Sequence, residues 1–191
     1  LIAFETFNKP IRQTNMKRII DVMKFGAAAA TLFLAFSLNA QAQKKDERTS
    51  PPQQASATVA GNEVTVEYSS PAKRDREIFG ELVPYGKVWR TGANEATTIT
   101  LGADMKVQGN AVKAGKYALF TVPGESSWEI ILNEVWDQWG AYNYENDKDV
   151  ARFSVAPVGL DEAVENFTFD VSASGDVTMK WDKTAVSFTL E

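Results

Sequence analysis

Residues 63–69, Glu-Val-Thr-Val-Glu-Tyr-Ser, alternate polar and apolar side chains. In an extended chain this period of two puts Val64, Val66 and Tyr68 on one face and Glu63, Thr65 and Glu67 on the other, the pattern of a sheet with one buried face. A helix, whose faces repeat every 3.6 residues, would scatter them. Residues 55–60 precede this segment across Gly61-Asn62, a two-residue hairpin signal. Short segments of the same kind recur at 87–90, 96–101, 105–108, 111–113, 116–122, 128–132, 151–155, 166–172, 177–181 and 184–190. Turn signals separate them: Gly102-Ala103-Asp104, Gln108-Gly109-Asn110, Pro123-Gly124 and, between the last two, Asp182-Lys183. No stretch of about twelve residues keeps a helical apolar period. A single helical turn is the most expected over 78–84, which Gly80 and Pro84 interrupt, and again over 161–165. The expectation is an all-β fold, an antiparallel β-sandwich or jelly-roll-like barrel of about nine to eleven short strands, with little helix outside the N-terminal segment.

That N-terminal segment reads as an export signal. Met16-Lys17-Arg18 opens a short basic region, residues 25–38 are uncharged and rich in Ala, Leu and Phe, and Ala40-Gln41-Ala42 places small residues where a signal peptidase needs them. The apolar run is shorter than the roughly 20 residues that span a bilayer. Residues 16–42 are therefore expected to be a signal peptide cleaved after Ala42, residues 1–15 an over-extended start, 43–54 a polar linker, and 55–191 a single β domain. The product is expected in the periplasm or outside the cell, with no membrane anchor after cleavage. Removing residues 1–42 takes away five basic and two acidic residues, which leaves 15 Lys+Arg against 23 Asp+Glu and moves the net charge from -5 to -8. This balance argues against nucleic acid and anionic lipid as partners.

The chain has no Cys and no His. Without disulfides the domain must be held by core burial alone, and about 150 residues suffice to bury roughly two-thirds of the unfolded surface. Without imidazole or thiol, Ser-His-Asp and Cys-His catalysis and His-based zinc sites are excluded. Carboxylate, phenol, amine, guanidinium and hydroxyl chemistry remain, or binding without chemistry, and no cofactor is implied.

Two segments concentrate the residues that could act. In 84–95 Arg90 can grip an anion with two prongs, Asn94 can donate and accept, Glu95 can act as a base or oxygen ligand, and Tyr85 stands nearby. In 128–144 three Trp and two Tyr interleave with amides, among them Trp139, Tyr142 and Asn143. Rings beside amides suit sugar-like ligands, whose C–H faces stack while their hydroxyls need donors and acceptors. The alternatives are an internal ion pair of Arg90, with Glu95 or with a carboxylate elsewhere, that merely fixes the loop, and aromatics that merely plug the end of a sandwich. Paired-carboxylate hydrolysis would draw on Glu95 and Asp137. Asp147 and Asp149 could offer oxygens to calcium, but the run lacks calcium-loop spacing and contains Lys148. Gly115-Lys116-Tyr117 has the form of a tyrosine corner, in which the phenol ties a loop to the backbone. Asn166-Phe167-Thr168 matches a glycosylation sequon, which matters only in a eukaryotic secretory route.

Residues 79–97 (Phe-Gly-Glu-Leu-Val-Pro-Tyr-Gly-Lys-Val-Trp-Arg-Thr-Gly-Ala-Asn-Glu-Ala-Thr), 114–124 (Ala-Gly-Lys-Tyr-Ala-Leu-Phe-Thr-Val-Pro-Gly), 137–144 (Asp-Gln-Trp-Gly-Ala-Tyr-Asn-Tyr) and 183–188 (Lys-Thr-Ala-Val-Ser-Phe) resemble the bacterial domain-of-unknown-function family 2911. The resemblance runs from about Ser50 to the end of the chain. It implies an exported bacterial protein, periplasmic in a Gram-negative cell, and brings no activity, substrate or catalytic residue. The leading expectation is a non-enzymatic binding module for a small polar or carbohydrate ligand, using Tyr85, Arg90, Asn94, Glu95, Trp139, Tyr142 and Asn143. A carboxylate-dependent, calcium-assisted glycan hydrolase and a structural protein of the envelope are the alternatives. Oligomeric state and strand order stay open.

Overall fold

A computed structural model describes residues 48–191. The expected signal peptide, the residues before it and residues 43–47 of the expected linker lie outside the described residues. The strands are β1 (Pro52–Val59), β2 (Asn62–Ser69), β3 (Thr98–Leu101), β4 (Met105–Val107), β5 (Asn110–Val112), β6 (Gly115–Val122), β7 (Trp128–Asn133), β8 (Asp149–Val155), β9 (Val158–Val171) and β10 (Asp176–Thr189). Six of them form an antiparallel sheet in the order β1-β2-β3-β6-β7-β8, and β9 pairs with β10 in a second layer. The β4-β5 hairpin joins that layer at the chain end, where Lys106 and Glu191 exchange N–H···O bonds of 2.8 and 2.9 Å. The fold is an antiparallel all-β sandwich with no closed barrel.

The period-two reading of 63–69 holds. Val64 and Val66 are fully buried, Tyr68 packs edge-on against Phe167 and Phe169 of β9, and Glu63 and Glu67 face solvent. The interior between the layers takes alternate residues of both. Ile99, Leu119, Trp128, Ile130 and Leu132 come from the large sheet, and Phe167, Val177, Met179, Trp181, Val186 and Phe188 from β9 and β10. The tyrosine corner forms as expected, with the Tyr117 hydroxyl donating to the Lys113 carbonyl at 2.9 Å.

The β1–β2 turn falls at Ala60-Gly61, one residue before the expected Gly61-Asn62, and of the strand expected at 87–90 only an isolated bridge at Trp89 forms. Three further expectations fail, each for a local reason. Pro52 through Gln54, expected in the linker, pair instead with Ser69 through Glu67, because backbone bonding extends the hairpin beyond the point where apolar alternation begins at Ala55. Residues 161–165 are not helical; they belong to β9, whose first half is mostly exposed and carries no apolar alternation to read. Asp182-Lys183 does not reverse the chain. β10 continues through it with register shifts on either side of Asp182, which sits at φ +50°, so a bulge replaces the expected turn.

The turn between β9 and β10 depends on Gly175. Its φ is +98°, its carbonyl accepts the Leu190 N–H at 2.8 Å, and a Cβ there would strike the Leu190 carbonyl oxygen. Gly175→Ala should therefore cost about 2–4 kcal/mol, combining a positive-φ penalty with displacement of the chain end from β4. Urea unfolding followed by tryptophan fluorescence measures it, and a change below about 0.5 kcal/mol, the range of an ordinary surface substitution, would contradict this role.

Candidate functional site

β6 and β7 are buried on both faces. Inward, Leu119 and Ile130 join the main core; outward, Ala118, Phe120 and Ile131 form a second apolar cluster with Ala96. The long β7–β8 connection, residues 134–148, folds over that outer face. Ala141 and Tyr144 pack on the cluster, and the Tyr144 and Phe120 rings meet edge-on at 5.3 Å.

Asn133, with no exposed surface, anchors this connection at its base. Its Nδ2 donates to the Glu145 carbonyl and to Asp149 Oδ1, both at 2.8 Å, and its Oδ1 accepts the Val135 N–H at 2.9 Å. Asp149 Oδ2 also accepts from the Tyr144 hydroxyl at 2.6 Å and from Arg152 at 3.2 Å. Burial, with the hydrogen bond to Asp149 next, pushes the Tyr144 phenol up to about 12, so it stays a neutral donor at any physiological pH. The Glu129 carboxylate, bonded to Arg152 at 2.8 Å, pushes the guanidinium's pKa up, and that bond in turn holds Glu129 below the usual carboxylate range. Asp149 thus braces the connection, while Asp147 is exposed in a 3-10 turn at Asn146–Lys148. No group of three or more acidic side chains able to hold a metal ion occurs among the described residues.

The other polar segment approaches from the β2–β3 connection. Trp89 exchanges backbone hydrogen bonds with Thr121 at 2.7 and 3.0 Å, so residues around it extend the sheet beside β6. Thr91 and Asn94 then take φ values of +56° and +60°, conformations that favour glycine, and turn the chain back towards β3. The tight loop is held by Thr97 Oγ1 donating to the Thr91 carbonyl at 2.7 Å and Asn94 Nδ2 donating to the Ser50 carbonyl at 3.1 Å.

The two segments meet. Glu95 and Trp139 form an antiparallel bridge, the Ala96 N–H donates to the Gln138 carbonyl at 3.0 Å, and the Gly140 N–H donates to the Asn94 carbonyl at 3.1 Å. The Arg90 guanidinium lies against Gly140, at φ +66°, where a Cβ would come within 2.9 Å of Nη1. Two buried side-chain polar atoms among the described residues have no hydrogen-bond partner, Arg90 Nε and Gln138 Oε1, and both belong to this junction. Beside it Trp139 is 53% and Tyr142 82% exposed. Asn143 and Asp137 are exposed as well.

Arg90 and Glu95 are not each other's partner. Arg48 Nη1 donates to both Glu95 oxygens at 2.7 Å and its guanidinium sits 5.9 Å from the centre of the Trp139 ring. Tyr85 stands in the 78–86 turn with its ring over Gly80, and the following Gly86 N–H is tied to the Pro123 carbonyl at 2.8 Å. Its ring is 41% exposed. Sequence reasoning missed Arg48, which lay in the expected linker, and gave Gln138 and Gly140, though inside the 137–144 motif, no part in the site, because only the backbone bridge brings them beside Arg90.

No curated protein and no solved structure matches the chain. The family profile described as "Protein of unknown function (DUF2911)" matches residues 50–190, which takes in every strand and both polar segments. The chain belongs to the DUF2911 family.

Proposed function

We propose that this domain is a non-enzymatic binding module of an exported, cell-envelope protein, and that it takes a small polar or sugar-like ligand where residues 90–95 meet residues 136–144. The observation that carries the reading is the pair of buried, unpartnered polar atoms, Arg90 Nε and Gln138 Oε1, in a junction that also carries the exposed rings of Trp139 and Tyr142. Buried polar groups are nearly always paired, and a donor and an acceptor left over in one junction, closed to solvent as they stand, take a polar partner only as the Arg90 and Gln138 side chains shift to meet it. Exposed rings beside such groups supply the stacking face that a sugar needs. The backbone bridge and the Asn133 anchor hold the parts in place before any ligand arrives, which lowers the cost of binding.

Export is supported by the basic, apolar and small-residue order of 16–42, and the absence of nucleic acid from the partners by the -8 net charge of residues 43–191. A binding role is favoured over hydrolysis because Glu95 already gives both oxygens to Arg48.

The test is a titration of neutral mono- and oligosaccharides followed by tryptophan fluorescence. Trp139→Ala and Arg90→Ala should each weaken the best ligand about tenfold or more, the effect of losing a single anchoring residue of about 1.4 kcal/mol. Trp139→Ala should leave the thermal midpoint unchanged, because that ring is outside both cores. Unchanged affinity in both variants would put the ligand elsewhere, and glycan turnover abolished by Glu95→Gln would replace binding with hydrolysis.

A further inference from the structure

Arg90 also lines a cavity of about 270 Å³ between the start of β1 and the β2–β3 connection. The charged run 73–77 supplies Arg74 and Arg76 to the same walls. Thr49 and Ser50 add hydroxyls, and Trp89 and Trp181, stacked at 6.0 Å and 14°, form an apolar side.

The arginines divide cleanly. Of the five among the described residues, Arg48 pairs with Glu95, and Arg152 with Glu129 and Asp149. The other three, Arg74, Arg76 and Arg90, have no carboxylate within ion-pair distance among the described residues, and all three line this cavity. No acid lines it, although the described residues hold 21 acids against 13 bases. Asp75 and Glu77, which flank Arg76 in the chain, are exposed, form no ion pair among the described residues and do not line the cavity, and the acids that do bond to this run serve other groups. Glu165 accepts the Arg74 backbone N–H at 2.8 Å, and Asp182 lies 3.8 Å from Lys73. The Arg76 guanidinium is fixed by donating to the Ala72 and Lys73 carbonyls at 2.6 and 3.1 Å, bonds that orient it without neutralising it.

We infer that this cavity is an anion site for a phosphoryl group carried on a small ligand, with Arg74, Arg76 and Arg90 as its donors. Three arginines without a carboxylate partner lining one concavity match a compact, multiply charged oxyanion, which guanidinium recognises through paired N–H donors. A cleft lined by one sign of charge also concentrates counter-ions of the other sign. The volume is at the small end for ligand pockets, so the group enters with at most a compact ring beside Trp89 and Trp181. The inference deepens the binding-module reading and rests on it through Arg90, the residue shared by the cavity and the aromatic junction.

Calorimetric titration of the purified protein at low salt, with inorganic phosphate, glucose 6-phosphate, glucose and acetate as separate probes, tests it. Glucose 6-phosphate and phosphate should bind saturably and weaken steeply with added salt, with acetate much weaker. Arg74→Ala combined with Arg76→Ala should reduce phosphate affinity at least tenfold. Arg74→Glu, at an exposed residue whose side chain makes no hydrogen bond or ion pair among the described residues, should abolish it without moving the thermal midpoint. Lys113→Ala, just past β5 and outside the cavity walls, should change nothing. An equal loss in Lys113→Ala would overturn the site in favour of diffuse charge, and acetate binding as well as phosphate would overturn the phosphoryl assignment. Glucose binding without any phosphate response sinks this inference and leaves the binding module standing; silence to all four probes removes both.

Discussion

Trp181→Ala should lower the stability of this domain by about 3–5 kcal/mol, the usual cost of deleting a large buried ring. Trp181 is 2% exposed and stands at the centre of an aromatic group that spans the two layers. It stacks on Trp89, meets Phe167 edge-on at 5.8 Å and Phe79 at 6.2 Å, and its Nε1 donates to the Glu165 carbonyl at 3.2 Å. Removing it leaves a cavity and takes one of two donors from the Glu165 carbonyl, which keeps the Lys73 N–H at 2.6 Å. With no disulfide to limit the unfolded state, a loss of this size is a large fraction of the roughly 5–15 kcal/mol that holds an ordinary domain together. Urea unfolding monitored by circular dichroism, which does not rely on the deleted fluorophore, measures the loss. A result under about 1.5 kcal/mol, the mildest end of core truncations, would mean that the ring is not the joint between the layers.

Asn133→Ala should cost about 2–4 kcal/mol, because it removes three hydrogen bonds from a fully buried position and leaves the Val135 N–H without its acceptor. The consequence reaches the candidate site. Asn133 ties both ends of the 134–148 connection, so its loss should loosen the segment that carries Gln138, Trp139, Gly140 and Tyr142 while the sandwich beneath stays folded. Limited proteolysis should then cut within 134–148 in the variant and not in the parent, and ligand affinity at Trp139 should fall with it. If cleavage is unchanged, Asn133 is not the anchor, and the Tyr144–Asp149 bond together with the backbone bonds of 138–140 to 94–96 holds the connection.

The contrast between these residues explains which parts of the structure are legible in the chain itself. Val64, Val66 and Tyr68 announce their strand because period-two alternation is a local property, and Gly115-Lys116-Tyr117 announces its corner because the hydroxyl reaches a carbonyl only four residues away. The first half of β9 announces nothing, since it is mostly exposed and its pairing with β10 needs only backbone groups. The aromatic segment is ambiguous for the same reason. Trp128, Trp136 and Trp139 fall close together in the chain and look alike, yet Trp128 is 2% exposed in the core while Trp136 and Trp139 are 41% and 53% exposed.

Composition and short-range pattern were enough to establish an antiparallel all-β fold and the absence of imidazole and thiol chemistry, and the longer motifs carried the resemblance to a family whose profile spans residues 50–190, while the choice of a sandwich over a barrel came from the structure. Each segment carries those properties alone. It took the folded chain to bring Glu95 to Trp139, to give the Glu95 carboxylate to Arg48 rather than Arg90, and to set Arg74, Arg76 and Arg90 around one cavity. Such meetings depend on how the strands pair and the layers pack. Residues far apart in the chain come together only after the whole core has chosen its register, and no local pattern records that choice.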